Sequence, residues 1–328
     1  MIWPMSIRAS ICMAVPAFAA SGCTGVQSVF SDGGADAMQL SQLFYWMLGG
    51  AALLWVGMNG AFLYATRGKS RPLSRKGAGR LIGLGGIALP LVVLTPLLAY
   101  GLSVMPDQRA AGTGLRVTVT GESWWWRVEY WPKGATAPVV SANEIRLPVG
   151  QRTEIELVGR EVIHALWIPA LGGKMDIVPG RVNRMSLHPV RAGVWRGQCA
   201  EFCGLSHAMM ALDVVAMEPG EFDNWLEAQA GGLGAGVTDA GFGLFQAQGC
   251  GGCHTLRGTG ARGAVGPDLT HLGSRMTLGA GVLPMTPEAV ADWLRAPQAF
   301  KPGVAMPAYD HMTPQDMQRL AVWLRGLE

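Results

Sequence analysis

Two runs without a single charged residue, Ala37 to Thr66 and Leu81 to Met105, dominate the pattern of polar and apolar positions in this chain. Each exceeds the roughly 20 residues that a helix needs to cross a bilayer. Tyr45, Trp46, Tyr64 and Tyr100 stand near their ends, where interfacial aromatics gather. The pattern predicts a hairpin of two transmembrane helices over 40–66 and 81–105, with a pair of buried core helices as the competing reading.

Beyond Pro106 the period shortens to two. Leu115 to Thr120, Trp124 to Tyr130, Glu144 to Leu147, Thr153 to Leu157 and Val162 to Ile168 alternate as half-buried strands do, and Pro132-Lys-Gly134, Pro148-Val-Gly150 and Pro179-Gly180 mark turns between them. Short strands at this spacing predict a β-sandwich or barrel over 106–219. Glu221 to Gln229 reads as a short helix, and the glycine-rich stretch after it completes a linker over 220–237. The remainder, 238–328, reads as helical. Ala240 to Gln248 forms one helix, and Thr286-Pro287 and Thr313-Pro314 open two more, each a capping hydroxyl followed by proline in the first turn.

Composition and charge set the topology. Charged residues are 15% of the 328 and apolar ones 49%. The loop 67–80 carries Arg67, Lys69, Arg71, Arg75, Lys76 and Arg80 and no acid, so it faces the cytoplasm. The short segment 23–39 and everything after the second span then lie outside. Outside that loop and Arg8, nineteen lysines and arginines face all 23 acids, an excess of about four negative charges that makes nucleic acid an unexpected partner. At the N-terminus, Arg8, the apolar stretch Ile11 to Ala20 and Ala20-Ser-Gly-Cys23 read as a signal peptide over 1–22 with Cys23 as a lipid-modified N-terminus. A plain signal peptide or an uncleaved tail is the alternative.

Two clusters carry the chemistry. In the first, Cys199-x-Glu-x-Cys203-x-x-x-His207-x-x-Met210 follows His164. Thiolate, imidazole and thioether are ligands that copper takes. A mononuclear blue-copper site needs one Cys, two His and a weak axial Met, so the second Cys argues for two coppers sharing two thiolates, each with one imidazole and one with Met210. In the second, Cys250-Gly-Gly-Cys253-His254 is a c-type haem attachment sequence, the cysteines forming thioethers and His254 the proximal ligand. Structural disulfides, or a zinc knuckle at Cys250 to His254, are the plainer readings, but a disulfide needs no histidine at these spacings and no second ligand pair follows for zinc.

The run Gln198-Cys-Ala-Glu-Phe-Cys-Gly-Leu-Ser-His-Ala-Met-Met210, with His164, Gly173 to Arg181 and the aromatic run Trp124 to Tyr130, resembles the dinuclear CuA centre of cytochrome c oxidase subunit II. The resemblance covers the helix hairpin and a cupredoxin-like domain; the segment after it resembles an all-α class I cytochrome c. It implies that Cys199 and Cys203 bridge two coppers capped by His164 and His207, with Met210 completing one and the backbone carbonyl of Glu201 the other. It further implies that the Glu201 side chain helps bind magnesium at the contact with subunit I, and that Trp124 is where electrons arrive. Met306, in Lys301-Pro-Gly-Val-Ala-Met-Pro307, resembles the methionine loop of these cytochromes and would be the second axial haem ligand. Met276, Met285, Met312, His271 and His311 are its rivals. The chain departs from the family at the start of the second span, where Arg75, Lys76 and Arg80 stand in place of an acidic residue near a proton channel.

What the resemblance implies is subunit II of a bacterial respiratory haem-copper oxidase with its cytochrome c fused at the C-terminus, in the inner membrane with both redox domains on the periplasmic face. Electrons would enter at the fused haem, pass to the copper centre and leave for subunit I, where dioxygen is reduced to water and protons are translocated. The partners implied are subunits I and III and a cytochrome c or cytochrome bc complex as donor. Two alternatives remain: the electron-accepting subunit of a CuA-containing nitric oxide reductase, and a membrane-anchored electron-transfer protein with no catalytic partner. A quinol oxidase would lack the copper cysteines.

Overall fold

The computed structural model describes residues 24–67, 73–105, 110–112, 114–233 and 239–328. The predicted signal peptide, Cys23 and residues 234–237 of the glycine-rich linker lie outside the described residues.

Two helices are long and apolar enough to span a membrane. Helix α1 runs Ala35–Arg67, 33 residues, or about 50 Å at 1.5 Å per residue against a hydrocarbon core of roughly 30 Å. The second span covers Arg75–Val104 and is built from α2 (Arg75–Leu81), a π-helical turn (Ile82–Ala88) and α3 (Leu89–Val104). Pro90, in the first turn of α3, lacks a donor and its ring clashes with the carbonyl of residue 86, which accounts for the wider turn just before it. Both helices begin before the spans predicted at 40 and 81. Asp36, Arg75, Lys76 and Arg80 are helical without being apolar, so the uncharged run marks the part that meets lipid and not the end of the helix. Nothing among the described residues covers Leu53, Trp55, Leu91 or Val92, which are exposed.

The middle domain is a two-layer sandwich of ten strands: β1 (Arg116–Gly121), β2 (Trp126–Trp131), β3 (Val139–Ala142), β4 (Glu144–Pro148), β5 (Thr153–Gly159), β6 (His164–Trp167), β7 (Lys174–Ile177), β8 (Val182–Leu187), β9 (Gly193–Cys199) and β10 (Ala211–Met217). One sheet has the order β3-β2-β1-β5-β8 and the other β4-β10-β9-β6-β7. The pairs β1/β5 and β4/β10 are parallel, so the chain crosses between layers instead of forming a simple meander. In β2 the alternation is plain: Trp126, Val128 and Tyr130 point inward, Arg127, Glu129 and Trp131 outward. The inward residues meet Ile145, Leu147, Ile155, Leu157, Leu166 and Leu212 in one core. Truncating a side chain such as Trp126, fully buried there, to alanine costs about 3–5 kcal/mol. Asn143 turns the chain from the first sheet to the second; it adopts a left-handed conformation (φ 61°) and its side-chain oxygen accepts the Trp126 N–H at 2.9 Å.

Helix α4 (Pro219–Ala230) closes the end of this core, with Trp225 edge-on to Tyr130 at 5.1 Å between ring centres. The C-terminal domain packs α5 (Ala240–Ala247), α6 (Pro287–Arg295) and α8 (Pro314–Arg325) around Phe245, Leu256, Val290, Leu294, Met317 and Leu320, with a short α7 (Pro297–Phe300) and a two-stranded ribbon, β11 (Thr277–Leu278) and β12 (Leu283–Pro284). Both capping threonines act as the sequence predicts. Thr286 Oγ1 accepts the Ala289 N–H at 3.2 Å and Thr313 Oγ1 that of Asp316 at 3.2 Å. At the α5/α8 crossing, Gly241 lies so close that a methyl group there would stand 2.2 Å from Trp323 Cβ.

Candidate functional site

Strand register brings distant residues of the first cluster together. β6 and β9 pair with Leu166 opposite Cys199, which places His164, the first residue of β6, beside the end of β9. Residues 200–210 loop from β9 to β10, and the loop is closed at its base by Cys199 N–H donating to the Met210 carbonyl at 2.8 Å. Within it His207 lies in a short 3₁₀ turn.

The side-chain donors converge. Cys199 Sγ lies 3.7 Å from Cys203 Sγ and 3.7 Å from His164 Nδ1; Cys203 Sγ lies 3.5 Å from His207 Nδ1 and 3.9 Å from Met210 Sδ. The Glu201 carbonyl oxygen is 3.2 Å from Cys199 Sγ. Both cysteines are buried and free of disulfide, a sulfur separation well beyond the roughly 2.05 Å of an S–S bond. Burial lowers the His164 pKa to about 4, so the imidazole is neutral and its nitrogen free to coordinate. Burial, and then the neighbouring Cys199, push the Cys203 thiol up to about 12. The Cys203 thiol thus resists ionisation, and a bound cation is what would favour its thiolate form. The wall is close: a methyl on Gly121 would fall 2.6 Å from the His164 ring.

Of the other residues singled out in the sequence, the Glu201 carboxylate points away from the sulfurs and pairs with Lys174 Nζ at 2.8 Å, which holds it below the usual carboxylate range. Trp124 is half-buried over the loop and donates Nε1–H to the Cys203 carbonyl at 2.7 Å.

In the C-terminal domain, Cys250 is buried, Cys253 exposed, and neither is in a disulfide. His254 Nδ1 is 2.8 Å from the Pro267 carbonyl, which fixes the ring and leaves Nε2 as the free nitrogen. Its pKa is lowered by burial. Met306 is half-buried and its sulfur accepts the Trp293 indole N–H at 3.3 Å. The rivals are placed differently: His271 Nε2 meets the Gly231 carbonyl at 3.2 Å, His311 Nε2 meets Gln248 at 2.9 Å, and Met276 is exposed.

The two clusters share a seam that sequence reasoning missed. The segment around β11 lies along the β4/β10 strands: Met276 N–H donates to Glu144 Oε2 at 2.9 Å, Thr277 Oγ1 to Asp213 Oδ2 at 2.6 Å, and Ala211 N–H to the Ala280 carbonyl at 3.1 Å. Arg146 and Arg196 reach the Ser274 and Gly281 carbonyls at 3.1 and 3.3 Å. The methionine loop joins in, with Ser206 Oγ donating to the Pro302 carbonyl at 2.6 Å. Lys301 is buried beneath that loop, its Nζ donating to the Gly279 carbonyl at 2.7 Å. Gly279, Ala280 and Gly281 are all left-handed (φ 66°, 63° and 81°), a conformation that costs Ala280 roughly 1–2 kcal/mol.

Comparison with known proteins gives two family matches: cytochrome c oxidase subunit II, periplasmic domain, over residues 132–217, and cytochrome c over residues 238–328. Cytochrome c oxidase subunit 2 of Alkalihalophilus pseudofirmus is 39% identical over 230 residues, covering 68% of this chain and 64% of that protein, just under two thirds of its length. Its counterpart in Bacillus subtilis is 32% identical over 257 residues, covering 74% and 70%. Among solved structures, the periplasmic domain of subunit II of cytochrome oxidase of Bradyrhizobium japonicum is 29% identical, covers 37% of this chain and 96% of that one, and has a TM-score of 0.32.

Proposed function

The chain belongs to the cytochrome c oxidase subunit II family, and we propose that it serves a bacterial respiratory oxidase as the subunit that takes electrons in at its own cytochrome domain and hands them to subunit I. The family makes it a membrane-anchored subunit of a haem-copper oxidase, with a periplasmic domain of the copper type and a cytochrome c domain. The observation that carries the finer reading is the convergence of two thiols, two imidazole nitrogens and a thioether within one buried pocket, with the cytochrome domain seated against the same loop.

A dinuclear copper centre and a haem c each supply one-electron redox chemistry when bound. The donor set fits copper: soft sulfur and imidazole nitrogen, with His164 neutral. Cys199 and Cys203 would bridge, His164 Nδ1 and His207 Nδ1 would cap, and Met210 Sδ and the Glu201 carbonyl would complete the set. The C-terminal domain fits haem. Cys250 and Cys253 would hold it by thioether bonds, and His254 Nε2 and Met306 Sδ would ligate its iron. Arg275 Nε and Arg257 Nη2 are buried without a hydrogen-bond partner among the described residues, and the carboxylates of a haem would complement them. Trp124, bonded to the Cys203 carbonyl, is placed to admit electrons to the loop. Glu201 would exchange Lys174 for magnesium at the contact with subunit I, and a periplasmic cytochrome c or a cytochrome bc complex would be the outer donor.

The basic loop would face the cytoplasm of the inner membrane, and cleavage before Cys23 would leave a lipid-bearing N-terminus. The intact mass of the purified chain tests the last point, since a retained Met1 excludes it. The central reading is tested by replacing Cys199 and Cys203 with serine, which exchanges soft ligands for hard ones. Copper should be lost while haem stays attached. The haem should still be reduced by a donor, and its reoxidation by oxygen in the assembled complex should nearly stop. Reoxidation at an undiminished rate without copper would overturn the assignment.

A further inference from the structure

Trp124 is not the only contact between the two clusters. On the cytochrome side, Trp293 of α6 donates its indole N–H to Met306 Sδ at 3.3 Å, and its six-membered ring lies against Gly279, where a methyl group would stand 2.8 Å from Cζ3. The left-handed winding of Gly279, Ala280 and Gly281 aims the Ala280 carbonyl out of the domain and onto the Ala211 N–H at 3.1 Å. Ala211 is joined by a peptide bond to Met210, whose sulfur lies 3.9 Å from Cys203 Sγ and whose carbonyl accepts the Cys199 N–H at 2.8 Å. Ala280 and Ala211 are buried. Lys301 holds the Gly279 carbonyl from the other side, and the Thr277–Asp213 and Met276–Glu144 hydrogen bonds pin the neighbouring residues. A strained alanine kept in a segment that touches both clusters is where a functional demand on backbone direction is expected.

We propose that Trp293, the Gly279–Ala280 peptide and Ala211 form a second conduit for electrons from the haem to the copper centre, with Trp293 as its positioning residue. The inference rests on the proposed function above. In each passage the haem iron is oxidised by one electron and the copper pair is reduced by one; no bond is made or broken and no proton moves. Covalent and hydrogen bonds carry tunnelling electrons better than gaps between atoms in mere contact. This route has one such contact, Trp293 against Gly279, between two hydrogen bonds. The Trp124 route also has one, at Gly303, where a methyl group would lie 3.0 Å from the Trp124 ring. Each route has a single non-bonded contact, so both should contribute.

The test uses the full chain loaded with copper and haem. A photoexcited ruthenium complex reduces the haem, and transfer to copper is followed at separate haem and copper wavelengths. Two spectra serve as controls, the red-edge band of methionine-ligated ferric haem and the optical spectrum of the copper centre. Trp293→Leu should slow the internal transfer about tenfold, the order expected when a positioned contact is lost. Trp293→Phe, which keeps the ring and loses the N–H, should fall between it and the parent. Ala211→Pro removes the N–H that meets Ala280, at the first residue of a strand where proline is tolerated, and leaves the haem side untouched; because it also confines Met210 (φ −106°, ψ 73°), its rate is read with the copper spectrum unchanged. It should slow transfer in the same direction, and it decides the matter if Trp293→Leu disturbs the methionine band. Unchanged rates in Trp293→Phe and Ala211→Pro with both spectra intact would overturn the conduit. A parent chain that binds no copper or no haem would instead overturn the proposed function, and this inference with it.

Discussion

Asp36, in the first turn of the membrane helix α1, and Arg152, just before β5, form a two-pronged ion pair, with Arg152 Nη1 and Nη2 each 2.9 Å from one carboxylate oxygen. Asp36 is only 1% exposed, so the sandwich is fixed to its anchor by a carboxylate that water does not reach. Removing one partner of such a pair leaves an uncompensated buried charge, which costs about 3–5 kcal/mol. Arg152→Ala should lower the urea midpoint of the copper domain accordingly, and Asp36→Asn/Arg152→Ala together should cost less than the two single changes summed. Strict additivity would mean that the pair is not coupled.

Met306 should be the sixth ligand of the haem. Met306→Ala should abolish the weak red-edge absorption of the oxidised protein while the haem stays covalently attached through Cys250 and Cys253. A band that survives the substitution would transfer the role to Met285 or Met312, which also pack against the core of this domain.

Lys301 gives the copper-free protein a pH dependence. Burial lowers its pKa from 10.5 to about 7, an effect that the nearby Cys203 opposes. Between those values the unfolded chain holds the proton and the folded one does not, so stability rises with pH. Above 9.0 the trend is countered, because the Cys203 thiol ionises in the unfolded chain but is held up to about 12 in the folded one. Urea midpoints of the haem-loaded, copper-free chain should therefore climb from pH 7 to pH 9 and then level off. The full shift is worth at most ~5 kcal/mol. Lys301→Met should flatten the climb, and a slope that persists in that variant would exclude the lysine.

Gly303 has φ 83° and lies against both the Trp124 ring and Leu205. Valine there would be strained by roughly 1–2 kcal/mol and would wedge the methionine loop off the copper loop. Hydrogen exchange at the amides of Ala211 and Met276 should quicken in Gly303→Val, while amides of β1 and β2 keep their protection. Unchanged exchange at the seam would show that the domains dock without this contact.

Local chemistry was legible from sequence, and assembly was not. Thr286 and Thr313 announce helix starts because the capping hydroxyl and the proline act within one turn. Cys199 to Met210 reads as a ligand loop because five of its donors lie within twelve residues. Strands β3, β7 and β8 were missed. Lys174-Met-Asp-Ile177 alternates but is only four residues long, Val139-Val-Ser-Ala142 is as short, and Val182 to Leu187 puts Asn183 and Arg184 side by side, so none offers a sustained two-residue period. The seam was missed for a different reason. Ala211 with Ala280 and Glu144 with Met276 are pairs set by how two domains meet, and Lys301 is a lysine only 2% exposed, against the ordinary rule for that residue.

The cytochrome and copper domains belong to one chain, so on the proposed route the supply to the copper loop would not depend on how much protein is dissolved outside. A donor that arrives through surface charge is slowed as salt rises, because exposed charges are screened. Ala280 with Ala211, Thr277 with Asp213 and Ser206 with Pro302 are short contacts inside a closed seam, and salt does not reach them. Transfer between the two domains should run as fast in brine as in dilute buffer, and any salt sensitivity of the assembled oxidase would report on the visiting donor alone.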